Sequence, residues 1–254
     1  MAKIFYYDSV NMHALSSAAI KAGTLNGSLD FTASDSAITN EHAIKDMSIS
    51  AKVSSFQDED AIRIDFGSDK TVTHIATHNA ATTASSETLI WYHHTANDNA
   101  GTSFAINSAS PVGWDIVNAS SQSKRYWYVR SSTGAFSSLS EVIMGVPLEF
   151  EVEPDLGGTT QEIFATGLNT SFAGDEYAFQ KHDPISTWTL SFKNISQTFR
   201  NNLITFEQNV TNFKKFLYYD GSAYNYVRLS NPIRFVEVAF ERYSCTIELR
   251  EQLS

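Results

Sequence analysis

The chain has 254 residues, of which 18 are basic and 28 are acidic, so its formal net charge is −10. This acidic balance argues against a surface that neutralises nucleic-acid phosphates, and no nucleic-acid partner is expected. Hydrophobic residues make up 42% of the chain and charged residues 18%, which is typical of a packed globular protein. No stretch approaches ~18 consecutive apolar residues, so membrane insertion is not expected either.

Segments of alternating apolar and polar residues run through most of the chain and predict β-strands. Turns rich in Ser, Thr, Asn and Gly separate them. The predicted strands are Thr71–Thr77, Leu89–His93, Tyr126–Arg130, Leu148–Glu153, Trp188–Phe192, Phe235–Phe240 and Tyr243–Leu249. Many short strands of this kind indicate an all-β sandwich or barrel, so the predicted fold class is mainly β.

One segment, Ser196–Phe213, has a helical pattern instead. Its apolar residues are spaced 4, 3, 4 and 3 apart, which places them on one face of a helix. They are Phe199, Leu203, Phe206, Val210 and Phe213. Asn194 or Ser196 can cap the start. The sequence therefore predicts one amphipathic helix that lies against a sheet.

The strongest turn or linker signal is Glu153–Gly158, just beyond the end of an alternating block at Gly145. It predicts an N-terminal β domain at 1–147 and a smaller α+β domain at 148–254. The single cysteine, Cys245, excludes an internal disulfide and a zinc site built on cysteines. Its place in an alternating strand predicts a small core residue and not a nucleophile.

Three stretches of the N-terminal half share the motif order of a known family. They are Ala61–Ser68 followed by Thr71–Ala76, then Leu89–His94 leading into the loop Asn97–Asn99, then Lys124–Arg130 followed by Ser137–Gly145. Together they resemble the discoidin, or coagulation-factor-type C, branch of galactose-binding-like jelly rolls. The resemblance covers roughly Thr24–Gly145 and implies a jelly-roll β-sandwich.

The same resemblance implies where a ligand would bind. Such jelly rolls bind sugars through loops at one end of the sandwich, where an aromatic ring stacks on the sugar and polar side chains hold its hydroxyls. The corresponding candidates are Asn97, Asp98, Asn99 and Trp114, although Trp114 also fits the core or an interface. Asp46 is the candidate calcium ligand, but Met47 stands where the family often has glycine. No other cofactor is expected.

The C-terminal half has a second resemblance. Its motifs are Trp188–Ser196, the helix, Lys215–Gly221, Tyr226–Leu229, Asn231–Ile233 and Tyr243–Glu251. Their order is similar to small minor-tail modules of tailed bacteriophages, over roughly Leu148–Leu253. The resemblance implies a tail-tube-like β-barrel with a flanking helix that forms rings. The candidate interface residues are Phe199, Leu203, Phe206 and Tyr224.

Residue types that carry catalysis occur without the spacing that catalysis needs. His74 and His78 are four residues apart on a predicted strand, roughly 13 Å at ~3.3 Å per residue, too far to bind one metal ion. His93 and His94 are adjacent and point to opposite faces. No nucleophile elbow, phosphate-binding glycine loop or H-E-x-x-H motif is present. The chain is therefore not expected to be an enzyme.

Taken together, these patterns favour a structural virion protein of a tailed bacteriophage, in the distal tail, tail tip or baseplate. It would be assembled in the host cytoplasm as a homo-oligomeric ring, with three- or six-fold symmetry favoured. Its expected neighbours are tail-tube, hub and fibre proteins, and the jelly roll would contact host glycans or fibres. The alternative is a carbohydrate-binding protein outside any virion. A third hypothesis, a glycan-cleaving enzyme, lacks a convergent pair of carboxylates.

Overall fold

The computed structural model describes residues 3–26, 28–33, 37–53, 57, 59–80, 88–95, 103–108, 113–131, 139–155, 160–164, 166–172, 175–181 and 183–252. Contacts divide the chain into two compact units. The N-terminal unit is Phe5–Leu148, and the C-terminal unit is Glu149–Leu253 together with Met1–Ile4. That these units are the modules predicted at 1–147 and 148–254 stays a prediction.

The described residues form seventeen strands, one α-helix and three short 3-10 helices. The strands are β1 (Ile4–Tyr6), β2 (Ile20–Leu25), β3 (Phe31–Thr32), β4 (Asp60–Asn79), β5 (Thr88–His94), β6 (Ser103–Ser108), β7 (Gly113–Ser131), β8 (Leu139–Gly145), β9 (Leu148–Glu149), β10 (Thr160–Ile163), β11 (Thr166–Thr170), β12 (Glu176–Gln180), β13 (Ile185–Ser196), β14 (Phe216–Tyr219), β15 (Tyr224–Leu229), β16 (Arg234–Ala239) and β17 (Arg242–Glu251). The α-helix is α1 (Gln197–Val210), and the 3-10 helices are Met12–Ala14, Ser17–Ala19 and Glu41–Lys45. The predicted class, mainly β with one helix, is confirmed.

The N-terminal unit is organised around β4 and β7, which pair antiparallel along nearly their whole length. The strand order is β3-β2-β4-β7-β5-β6, and β8 pairs with the second half of β4. Alternate residues of β4 point into the core, among them Ile62, Ile64 and Ile75, all fully buried. Trp91 and Trp127 fill the same core from β5 and β7. The β-sandwich expected from the alternation is thus present.

In sequence, the segment Asp65–Gly67 indicates a turn into a new strand, but β4 continues through it. The strand register shifts between Asp65 and Lys70, which indicates a bulge. Gly67 has a φ of 73°, and its N–H donates to the Asp65 carboxylate at 2.7 Å. Arg125 of β7 forms a bidentate ion pair with the same carboxylate, with N–O distances of 2.7 and 2.9 Å. This pairing lowers the pKa of Asp65 and holds β7 to β4 at the bulge.

The C-terminal unit contains a sheet in the order β10-β13-β17-β15-β14, and β16 pairs with the first half of β17 while β15 pairs with its end. The predicted strand Leu148–Glu153 is shorter than expected, because only Leu148–Glu149 is extended in a ladder. Phe150 nevertheless enters the core, where it meets the Phe192 ring edge-on at 5.1 Å between centroids. Asp220–Gly221, a dipeptide typical of tight turns, joins β14 and β15, and Asp220 accepts hydrogen bonds from Ser222 and Ala223.

The predicted helix forms as α1, and Ser196 is the predicted residue that caps it. The Ser196 side chain accepts the Phe199 N–H at 3.0 Å, and Glu151 in turn accepts from the Ser196 N–H and hydroxyl. The helix ends at Val210, before Phe213, which is exposed. In the described part of the chain, no helix has the length and hydropathy needed to cross a membrane.

Cys245 lies in β17, buried between its cross-strand neighbours Phe192 and Phe235. Burial raises the pKa of its thiol to about 12, so the reactive thiolate is absent at neutral pH. We expect the native protein to resist alkylation by iodoacetamide at pH 8 and to react fully in 6 M guanidinium chloride. Mass spectrometry of a time course would measure both. Rapid modification under native conditions would contradict the burial of this strand.

Candidate functional site

The predicted sugar-binding residues fall in two groups. Asn97, Asp98 and Asn99 lie outside the described residues. Trp114 lies near the start of β7, half-buried, opposite His78 of β4, and the two ring centroids are 5.0 Å apart. His78 Nδ1 is 2.6 Å from the Ser140 hydroxyl. The Trp114 indole therefore has an apolar ring face with polar groups beside it. Such a ring can either pack against the rest of the protein or stack on a ligand.

His78 and its neighbour His74 are both neutral at physiological pH. Burial lowers the pKa of His78 to about 4 and that of His74 to about 3. His74 is fully buried, and its ring meets the edge of Tyr6 at 5.2 Å. Both are therefore residues of the sheet, as predicted, and their burial suppresses protonation.

The candidate calcium ligand, Asp46, is exposed at the end of the 3-10 helix Glu41–Lys45. Its carboxylate accepts the Ser48 N–H at 2.8 Å, which closes a tight turn. Across the described residues, no three His, Cys, Asp or Glu side chains are grouped so that they would bind a metal ion. Calcium binding at Asp46 stays a prediction.

A cluster of ionisable groups that the sequence analysis missed lies in the core of the N-terminal unit. The Asp8 carboxylate accepts the N–H groups of Met12 and His13, at 2.7 and 2.9 Å, at the start of the 3-10 helix Met12–Ala14. His13 then lies between two carboxylates. Its Nδ1 is 2.9 Å from Asp8, and its Nε2 is 2.8 Å from Glu141 of β8. The three side chains are at most 3% exposed.

The pKa shifts of this cluster describe a buried, protonated histidine. Burial by itself would lower the pKa of His13, but the bonds and charges of Asp8 and Glu141 outweigh burial and raise it to about 10. Burial also raises the pKa of Glu141 to about 7, against the pull of His13. The pKa of Asp8 is lowered, because its bonds to His13 outweigh the effect of burial. The cluster is closed to substrate and ties the start of the chain to β8, so its role is structural.

In the C-terminal unit, the predicted interface residues separate into core and surface. Phe199, Leu203 and Phe206 are buried within the unit, and Phe206 meets Phe216 edge-on at 5.0 Å. We therefore move these three residues from the predicted interface to the core, because the apolar face of α1 covers its own sheet. Tyr224 is 40% exposed and remains a surface candidate.

Among the described residues of the C-terminal unit, most of the large exposed apolar side chains lie in two places that the sequence analysis did not predict; the others are Ile163, Phe164, Phe213 and Tyr224. One of the two places is the ribbon, which we define as β11 and β12 with Ser171, Phe172 and Asp175; here the exposed apolar side chains are Leu168, Phe172, Tyr177 and Phe179. The other is the edge segment, defined as β16 with Phe240, where Val236, Val238 and Phe240 are exposed. Soluble monomers rarely expose apolar patches of this size unless another molecule covers them.

Comparisons with known proteins give a weak likeness. No family model and no curated protein matches the chain. Chitosan-binding module 1 derived from a chitosanase/glucanase of Paenibacillus sp. IK-5 is 18% identical over 50% of this chain and 93% of that chain, with a TM-score of 0.35. A selenomethionine-labelled point mutant of that module is 17% identical over 55% and 98%, with a TM-score of 0.37. We draw no conclusion about this chain from a likeness of that size.

Proposed function

We propose that this chain is a structural protein that assembles with copies of itself, as a ring-forming component of the tail of a tailed bacteriophage. The observation that carries the proposal is the ribbon. Two strands without a covering layer are at best marginally stable in water, yet this ribbon exposes aromatic residues on them. A surface of that kind is typical of a subunit interface.

The motif order of the C-terminal half, with its tail-module resemblance, supports the phage part of the proposal. The mechanism is assembly: subunits bury apolar area against one another, and no covalent bond is made or broken. Asp46 remains the proposed calcium ligand if the jelly roll binds the ion. Host glycans, fibres and other tail proteins are the proposed external partners.

The mass of the purified protein in solution tests self-assembly. Light scattering during size-exclusion chromatography, over a concentration series, is expected to show a closed multimer or a mass that rises with concentration. A constant mass of 28.2 kDa at every concentration would overturn the self-assembly proposal. Negative-stain images of the multimer would then give the ring order.

Carbohydrate binding by the N-terminal unit is a second candidate, favoured by the half-buried Trp114 beside His78. If Trp114 stacks on a sugar, Trp114→Ala should abolish binding to any hit on a glycan array, since stacking on an aromatic ring supplies much of such affinity. Trp188→Phe, in the C-terminal unit, is the matched control and should leave the signal unchanged. If Trp114→Ala still binds the glycan, the sugar site lies elsewhere in the protein. An array on which the wild type binds no glycan would contradict the carbohydrate-binding hypothesis.

A further inference from the structure

We propose that the ribbon of one copy docks on the edge segment of the next copy, head to tail. This inference rests on the self-assembly proposed above and names the two surfaces that carry it. Both lie in the C-terminal unit, and both are free of a covering layer within the described residues of that unit.

The ribbon is built to present side chains to another molecule. Tyr177 and Phe179 share one face, opposite Asn169 and Gly167 in the ladder. The Phe179 ring lies directly over Gly167, where an added Cβ would be 2.4 Å from the ring. That contact fixes the aromatic row, while Phe172, near the turn, has its whole side chain exposed.

The edge segment has two features on which a ribbon can dock: an unpaired strand edge and a neighbouring depression. In the described sheet, β16 pairs with β17 on one side only, which leaves a row of backbone N–H and C=O groups for a further strand. Its outward side chains include Val236 and Val238, 62% and 53% exposed. Beside them is a depression of about 360 Å³ lined by Asn231, Pro232, Arg234, Thr246 and Glu248. A depression of that size accommodates an aromatic side chain.

The exposed apolar area favours a second copy as the occupant. At ~150–250 Å² per aromatic side chain, the ribbon and the edge segment together expose on the order of 900 Å² of apolar surface. Since about 60% of an interface is apolar, that implies roughly 1,500 Å² of total buried area, the size of a standard stable interface.

The two surfaces differ, so the contact is heterologous, and repeating it generates a ring or a filament. This gives a complementation test. One variant carries Phe172→Asp, Tyr177→Asp and Phe179→Asp and keeps its edge segment intact. The other carries Val236→Lys and Val238→Lys and keeps its ribbon intact. Phe213→Asp, at an exposed aromatic outside both surfaces, is the matched control.

We expect each multiple variant alone to be monomeric, with an apparent dissociation constant raised at least 100-fold, and an equimolar mixture to form 1:1 dimers that grow no further. Phe213→Asp should assemble like the wild type. Resistance of Cys245 to alkylation in every variant shows that the C-terminal unit has folded. The head-to-tail contact is overturned, while the proposed function stands, if the edge variant assembles on its own. The same holds if each variant, measured separately, assembles like the wild type. A monomeric wild type would overturn both.

Discussion

Replacing His13 with alanine should destabilise the N-terminal unit by about 3–5 kcal/mol, the range measured when one partner of a buried ion pair is removed. The change leaves Asp8 and Glu141 buried without the cation that lies between them, 2.9 and 2.8 Å from their oxygens. It also frees the first segment of the chain from β8. Few other single substitutions in this unit would remove two charge contacts at once.

Chemical denaturation followed by tryptophan fluorescence measures the effect, because Trp91, Trp114 and Trp127 belong to the N-terminal unit. His42→Ala is the control. His42 lies 3.8 Å from Glu41 at the surface, with its side chain 39% exposed, so its loss should cost less than about 0.5 kcal/mol. A loss below 1 kcal/mol in His13→Ala would mean that the two carboxylates become neutral at little cost, and that the cluster does not hold the chain start.

The helix and the strands were predictable because their information is local. The 4-3-4-3 spacing of apolar residues in α1 and the alternation in β17 follow from the geometry of each element, and each needs only one buried face. The same locality predicted that Cys245 is buried. Local pattern also produced the error in β4, where a polar Asp65–Gly67 segment reads as a turn and a long-range partner, Arg125, instead keeps the strand going as a bulge.

The candidate sites were less predictable, because they depend on contacts between distant residues. His13 and Glu141 are 128 positions apart, and neither belongs to a motif. The one local contact is that of Asp8, whose carboxylate accepts the N–H groups of Met12 and His13 a few residues further on. For α1, spacing showed that Phe206 lies on an apolar face, but it could not show whether that face covers the chain's own sheet or another subunit. The exposed ribbon was missed because Phe172 and its neighbours look like an ordinary loop in sequence.

The contribution of Glu141 to the stability of the N-terminal unit should fall as pH rises from 4.5 to 7. Burial raises the pKa of Glu141 from 4.5 to about 7, so over that range the folded state holds a proton that the unfolded state has released. His13 acts in the same direction between its ordinary pKa of 6.5 and about 10. His74 and His78, whose pKa values are lowered, act in the opposite direction below pH 6.5. Asp8, whose pKa is also lowered, favours the folded state only above its acidic range.

The difference between Glu141→Gln and the wild type reports on Glu141 together with His13, whose pKa Glu141 raises, since the contributions of His74 and His78 are common to both proteins. The glutamine can still accept a hydrogen bond from His13, but it has no proton to lose. We expect the variant to gain about 2 kcal/mol relative to the wild type between pH 5 and 7.5, from the shift of this one carboxyl. Denaturation curves at half-unit pH steps measure it, with Glu162→Gln, at an exposed position outside the ribbon and the edge segment, as control. A difference that stays constant with pH would show that Glu141 is already ionised at pH 5, and that His13 compensates its burial completely.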